Sequence, residues 1–422
     1  MSPIGASLAA PANERIDAVL RARGLQPVFQ PLVDLQTGVV VGYESLIRGP
    51  RGSLMEMPAE LFSAARAEGR LGELDALCRQ SAFGAAAAAG LGGGDMVFVN
   101  LDPAALSEAS FPGTPAALQP PPGVRVVFEV TEHALASDPV GMLAAVADLR
   151  RRGFGIALDD VGGDSRALAL MPLLRPDVIK LDLRLVQQQP SVDAARILAA
   201  VSAEVERTGA VVVAEGVEVP GDVGIARSVG ATIAQGFHFG RPGVLPGRGA
   251  PRARGVRLLE PEPARAGRTP FEILLMRDRP VQRAAKPLLR AISHSLELEA
   301  IALGQSAVVI ATFQDQRHFT PKARQTYRTL GRWLAFTGVL GAGLSGEPEP
   351  GVRGADLGPE DPLRSEWNVA VIGPHFAAAL ASWDVGDLGP ESERRFDFAV
   401  SHDRDVAVEA ARSMMLRIPP AR

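Results

Sequence analysis

The sequence predicts an α/β protein: a (β/α)8-type barrel with an antiparallel first strand, followed by a separate α/β (α+β) domain. Three observations carry that expectation. Short apolar runs recur roughly every 20 to 35 residues, and each closes on a polar residue before an amphipathic stretch. The first two runs flank a tight turn. Residues 246–270 then break the pattern with five prolines, four glycines and six arginines.

Val28–Leu35 and Val39–Ile47 flank Gln36-Thr37-Gly38, a hairpin signal that makes the first two strands antiparallel. The later runs are Met96–Val99 before Asn100, Val124–Phe128 before Glu129, and Phe154–Leu158 before Asp159. Asp177–Ile179 before Lys180, Val211–Ala214 before Glu215 and Ala231–Ala234 before Gln235 complete the series. Strands buried on both faces look like this, apolar throughout rather than alternating. Helical periods such as Pro139–Arg152 and Asp193–Thr208 lie between them. A parallel barrel gathers its strand C-termini at one mouth, so six polar strand ends mark a site. The expected division is a barrel over 1–245, a semi-rigid linker over 246–270 and a second domain over 271–422. In that second domain Val281–Leu296 reads as helix, and Ala307–Thr312 and Trp367–Ile372 as strands.

At 422 residues the chain can bury two cores, and 46% hydrophobic with 22% charged residues is ordinary for a globular protein. A net charge of -4 gives no drive toward nucleic acid, so no direct DNA binding is expected. No run reaches the roughly 18 to 20 apolar residues that span a bilayer, and Trp333–Leu344 is short and glycine-rich, so no membrane partner is expected. Glu14, Arg15 and Asp17 stand where a signal peptide needs its apolar stretch. Cys78 is the only cysteine, which excludes an internal disulfide and a cysteine zinc site and suits a reducing cytoplasm. It reads as a small core residue rather than a reactive thiol. Lysine is scarce: Lys180, Lys286 and Lys322 stand against 41 arginines among the 44 basic residues.

Glu44, Asn100, Glu129 and Asp159 offer only oxygen ligands, a hard set that selects Mg²⁺ or Mn²⁺ over zinc. Adjacent carboxylates Asp159-Asp160 repel unless cations compensate, and one of them can bridge two ions ~4 Å apart, the arrangement that drives phosphodiester displacement. Lys180 has two readings. It orients or deprotonates a water, or it is a structural ion-pair partner for Asp160 or Glu129. Arg48, four residues after Glu44, can grip a substrate phosphate.

Eight motifs in order then carry a resemblance. They are Gln30-Pro31, Glu44-Ser45-Leu46-Ile47-Arg48, Phe98-Val99-Asn100-Leu101, Glu129-Val130-Thr131-Glu132, Asp159-Asp160, Val178-Ile179-Lys180-Leu181-Asp182, Ala214-Glu215-Gly216-Val217-Glu218 and Gln235-Gly236-Phe237-His238-Phe239-Gly240-Arg241-Pro242. From about Gln26 to Pro242 the chain resembles the EAL-domain phosphodiesterases. The resemblance implies cyclic di-GMP as substrate, hydrolysed to linear pGpG, and pairing of two barrels into a homodimer. It implies Glu44, Asn100, Glu129 and Asp159 on one metal ion, and Asp159, Asp160 and Glu215 on a second. Lys180 would contact the nucleophilic water and Gln235 would support it. Gln30 and Arg48 would contact the nucleotide, and Glu218 would brace the loop after the fifth strand.

Two departures stand out. Ser45 replaces the signature alanine. After Asp160 the family usually has phenylalanine, glycine, threonine, glycine, tyrosine and two serines, where this chain has Val161-Gly162-Gly163-Asp164-Ser165-Arg166-Ala167. That loop couples dimerisation to metal binding in the family. Its change leaves two functions open: a phosphodiesterase controlled by the second domain, or a receptor that binds the dinucleotide without cutting it. His238 reads as pocket wall rather than ligand.

The second domain resembles the DICT sensory domain on segments such as Val308-Val309-Ile310-Ala311-Thr312-Phe313-Gln314, Glu366-Trp367 and Arg394-Arg395-Phe396-Asp397-Phe398. His294, His318, His375 and His402 match no standard ligand spacing. The domain is expected to sense a ligand or protein that its sequence does not name.

Overall fold

The structure is a computed structural model and describes residues 16–102, 119–187, 191–246, 255–260, 267–387 and 390–420. Strands β1 (Gln26–Asp34), β2 (Val40–Arg48), β3 (Met96–Asn100), β4 (Arg125–Thr131), β5 (Gly155–Val161), β6 (Val178–Asp182), β7 (Val211–Glu215) and β8 (Ile233–Ala234) close a barrel in chain order. β1 runs antiparallel to both neighbours, and every other pair is parallel. The hairpin forms because the Asp34 carboxylate accepts the N–H groups of Gln36 (3.0 Å) and Thr37 (2.7 Å). Gly38 closes the turn at φ +70°, where a side chain would be strained. Helices Pro139–Arg151 and Val192–Thr208 fall where their periodicity places them.

The barrel interior is one apolar cluster that includes Leu32, Phe98, Val127, Ala157, Val178, Val213 and Ile233. It also includes Val256, from the stretch expected as a linker over 246–270. Residues 255–260 run beneath the N-terminal ends of the strands. A Cβ at Gly155 would meet Leu258 Cδ2 at 2.5 Å, so glycine there makes room for the strap. The Leu259 N–H donates to the Asp177 carboxylate, which also accepts the Ile156 N–H (2.8 Å) and pairs with Arg150 (3.3 Å). Residues 247–254 and 261–266 of the expected linker lie outside the described residues.

The second domain is a seven-stranded sheet of β9 (Gln282–Ala285), β10 (Val308–Asp315), β11 (Phe336–Ala342), β12 (Arg353–Asp356), β13 (Val369–Ile372), β14 (Ala377–Asp384) and β15 (Arg395–Ser401). Their order is β12-β11-β10-β13-β14-β15-β9. The helix expected over Val281–Leu296 is displaced: 282–285 pairs with β15 at the sheet edge, and the helix runs Lys286–Leu303. Pro287 explains the boundary, since its fixed φ suits a first helical turn and its missing N–H is not needed there. The glycine-rich Trp333–Leu344 run is mostly β11, buried throughout. Among the described residues no helix is long and apolar enough to cross a membrane.

Barrel helices ordinarily keep a polar outer face. Helix Ser165–Leu174 has none after Arg166, and every residue from Ala167 to Leu174 is buried. Its outer side packs against helix Arg404–Met415 and the 304–306 turn of the second domain. The Arg207–Asp405 ion pair (2.8 Å) crosses the same face.

Candidate active site

Side chains two residues apart on a strand share a face. Phe98, Val127, Ala157, Val178, Val213 and Ile233 point into the barrel, so Asn100, Glu129, Asp159, Lys180, Glu215 and Gln235 sit on the same face one layer nearer the mouth. On the reversed β1 the same rule works backward: Gln30 precedes inward Leu32 by two and pairs directly with Glu44 of β2.

Lys180 stands at the centre, 1% exposed. Its Nζ lies 2.7 Å from Glu129 Oε1, 2.8 Å from Glu215 Oε1, 2.9 Å from Asp159 Oδ1 and 3.4 Å from Glu44 Oε2. Gln235 Nε2 donates to Glu44 Oε2 and to Gln30 Oε1 (3.0 Å), and Gln30 Nε2 donates to the Gly240 carbonyl (3.0 Å). That chain of amides ties the Gln235–Pro242 segment to the mouth.

Strand alternation alone would turn Asp160 away from Asp159. It does not, because β5 loses register between Leu158 and Val161 and Asp160 adopts φ +56°. The bulge and the left-handed residue re-aim the side chain. One oxygen each from Asp159, Asp160 and Glu215 consequently lie within 4.8 Å of one another.

The charge balance shows what the site demands. Burial raises the Glu129 carboxyl well above its usual range, with Glu44 adding to the effect. Burial pushes Glu215 up to about 7. Asp160 is raised by burial and then by Asp159. For Lys180, burial pulls downward, but Glu129, Glu215, Glu44 and Asp159 override it and hold the amine well above its ordinary value. The carboxylates alone therefore keep Lys180 an ammonium rather than depressing it. Glu129 Oε2 is buried with no hydrogen-bond partner. Excess buried carboxylate oxygen with an unsatisfied acceptor fits hard divalent cations.

The remaining expected residues fall around this centre. Asn100 ends β3, exposed, in register with Glu129. Arg48 ends β2, partly exposed, and donates to the Ile47 carbonyl (2.9 Å). Glu218 is exposed, and its N–H donates to Asp222 Oδ2 (2.9 Å). In the loop after β5 the Glu132 carboxylate accepts the Gly163 N–H (2.7 Å) and the Gly162 N–H (3.2 Å). Its signal was the second glutamate of Glu129-Val130-Thr131-Glu132. Asp164 ends that loop by accepting the Arg166 N–H (2.9 Å), which caps helix Ser165–Leu174.

His238 is exposed against the Phe239 ring (4.9 Å), outside the acidic cluster. Burial raises the Cys78 thiol to about 12, which makes it inert packing. Among the described residues the second-domain histidines form no metal-binding group.

Comparison with known proteins gives two domain matches. The EAL domain model matches residues 13–242, and the model for the DICT domain, a sensory domain in diguanylate cyclases and two-component systems, matches residues 273–384. An uncharacterized protein of Azorhizobium caulinodans is 31% identical over 250 residues, covering 54% of this chain and 32% of that protein. The cyclic di-GMP phosphodiesterase NbdA of Pseudomonas aeruginosa is 28% identical over 238 residues, 54% of this chain and 30% of NbdA. The chain thus spans about a third of the length of these curated relatives. The manganese and cyclic di-GMP complex of BlrP1 from Klebsiella pneumoniae shares 31% identity over 52% of this chain and 57% of that one, with a TM-score of 0.45.

Proposed function

The chain belongs to the EAL-domain family, and on that premise we propose that its barrel binds cyclic di-GMP and hydrolyses it to linear pGpG under the influence of the second domain. The observation that carries this reading is the packing of Glu44, Glu129, Asp159 and Glu215 around Lys180, with Asp160 turned back toward them.

Glu44, Asn100, Glu129 and Asp159 would hold one Mg²⁺ or Mn²⁺, and Asp159, Asp160 and Glu215 a second. Bound there, the ions lower the pKa of water and offset charge on the departing oxygen. Lys180 donates hydrogen bonds from Nζ and so fixes the attacking water relative to phosphorus. Gln235 holds Glu44 in place and presents its amide beside that water. Arg48 and Gln30 contact the nucleotide, Arg48 through a phosphate. Glu218, at the rim, contacts substrate. The water oxygen gives up a proton and bonds to phosphorus, the bond from phosphorus to the ribose 3′ oxygen breaks, and that oxygen takes up a proton in return. The product keeps a 5′ phosphate and a 3′ hydroxyl. If barrels pair, they do so away from helix Ser165–Leu174, which the second domain covers.

A second reading, binding without turnover, is favoured by one feature. Asp164 spends its side chain on the helix cap and on Arg166. Incubation of the full chain with cyclic di-GMP and Mn²⁺, followed by chromatography, separates the two readings. Hydrolysis yields pGpG, and Glu44→Ala and Asp159→Ala abolish it. Saturable binding with no pGpG in either Mg²⁺ or Mn²⁺ would establish the receptor.

A further inference from the structure

In the second domain, three nitrogen-bearing side chains close on one carboxylate. Lys286 opens helix Lys286–Leu303, His318 follows β10, and Arg394 precedes β15. Lys286 Nζ contacts Glu391 Oε1, an Arg394 guanidinium nitrogen lies 3.2 Å and 3.1 Å from its two oxygens, and His318 Nε2 lies 3.5 Å from Oε1. The nitrogen bearers are fixed in the fold, with side chains 11%, 16% and 17% exposed, whereas that of Glu391 is 55% exposed. The cradle belongs to the framework, and the carboxylate reaches it from the surface.

The residue choice at the cradle is unusual in two ways. Lys286 is one of only three lysines. It also sits at the positive end of an 18-residue helix whose N-cap, Ala285, has no side-chain oxygen to offer. A cation there opposes the helix dipole, and an anion at the same place reverses the sign of that energy. The position of Arg394 is set independently of Glu391. Its other nitrogen pairs with Asp384, which also accepts from Gln314 (3.4 Å).

We propose that Lys286 and Arg394, walled by His318, form an oxyanion-binding site, that Glu391 is its tethered occupant, and that a small ligand bearing a carboxylate or phosphate displaces it as the input the second domain senses. The inference is independent of the reaction assigned to the barrel. A tethered carboxylate competes at an effective concentration on the order of millimolar, so removing its charge frees the site for ligand in solution.

The full chain is titrated with inorganic phosphate and, separately, with acetate, at ionic strength held constant with chloride, and binding is read by calorimetry and by the rise in melting temperature. Glu391→Gln is expected to tighten binding of the preferred anion at least about tenfold relative to the unaltered chain. Lys286→Met is expected to lose that binding, and Lys286→Arg to retain part of it if the methionine variant does not fold. A stronger response to phosphate than to acetate identifies a phosphorylated ligand, and the reverse a carboxylic acid. Absence of saturable binding to Glu391→Gln, or equal affinity with and without the Lys286 charge, overturns the proposal.

Discussion

Lys180 Nζ lies 2.7 Å from Glu129 Oε1 at a depth where both residues are about 1% exposed. Neither charge can turn to water, and the lysine offsets three further carboxylates. Deleting one member of such a buried network costs about 3–5 kcal/mol, because its partners are left uncompensated. Lys180→Met is therefore expected to melt well below the unaltered chain in EDTA and to regain more stability on adding Mn²⁺ than the unaltered chain does. Lys180→Arg should fold, since charge is kept, yet lose at least about a hundredfold in hydrolysis, the usual reach of a positioned proton donor or acceptor. Full turnover in the arginine variant returns Lys180 to a purely structural part.

The loop after β5 depends on a carboxylate outside the proposed metal-ligand set. Glu132 accepts the N–H groups of Gly162 and Gly163, and such charge-assisted bonds contribute about 1.5–3 kcal/mol each. Glu132→Gln keeps one acceptor and places an amide NH₂ against the other N–H. The expected result is a several-fold higher Mn²⁺ concentration for half-maximal turnover, with cyclic di-GMP binding little changed. An unaltered Mn²⁺ dependence would show that the loop holds its shape without Glu132.

Glu366 predicts a pH dependence in the second domain. It is fully buried, and Oε2 accepts from Asn368 Nδ2 (2.9 Å) and from the Phe271 N–H (3.2 Å). Burial pushes its carboxyl up to about 7 from an ordinary 4.5. The folded state thus holds this proton more tightly than the unfolded state does. Its contribution is full below pH 4.5, declines as pH rises toward 7, and stays lost above that. By linkage the loss is at most about 3 kcal/mol. Melting curves from pH 4.5 to 8 should fall more steeply for the unaltered chain than for Glu366→Gln. Parallel curves would place the titration elsewhere.

The strap beneath the barrel predicts where the first domain can be cut. Val256 and Leu258 close the base of the barrel core. Burying each such side chain stabilises by about 1.5–3 kcal/mol. A chain ending at residue 260 is expected to melt several degrees above one ending at 245, measured by circular dichroism. Identical midpoints would mean that the strap rests on the barrel without contributing to it.

Much of this protein is legible in its sequence because the relevant rules are local. Apolar runs ending in Glu129, Asp159, Lys180 and Glu215 state both the strand and the face, since a period of two carries each side chain into the barrel. The Gln36-Thr37-Gly38 turn states the reversed first strand.

Other features were decided only by contacts between distant segments. Asp160 joins the site through a bulge that no residue pattern announces, because β5 must lose register against β6 for it to turn. Residues 255–260 look like a linker in composition and become core because the open end of the barrel needs apolar cover. The all-apolar Ala167–Leu174 helix demands a covering partner, but the sequence does not say that the partner is helix Arg404–Met415. The charge of Lys180 depends on four carboxylates spread between positions 44 and 215. A local pattern fixes which way a side chain points. The packing of segments far apart in the chain fixes what it meets there, and therefore its charge, its burial and its chemistry.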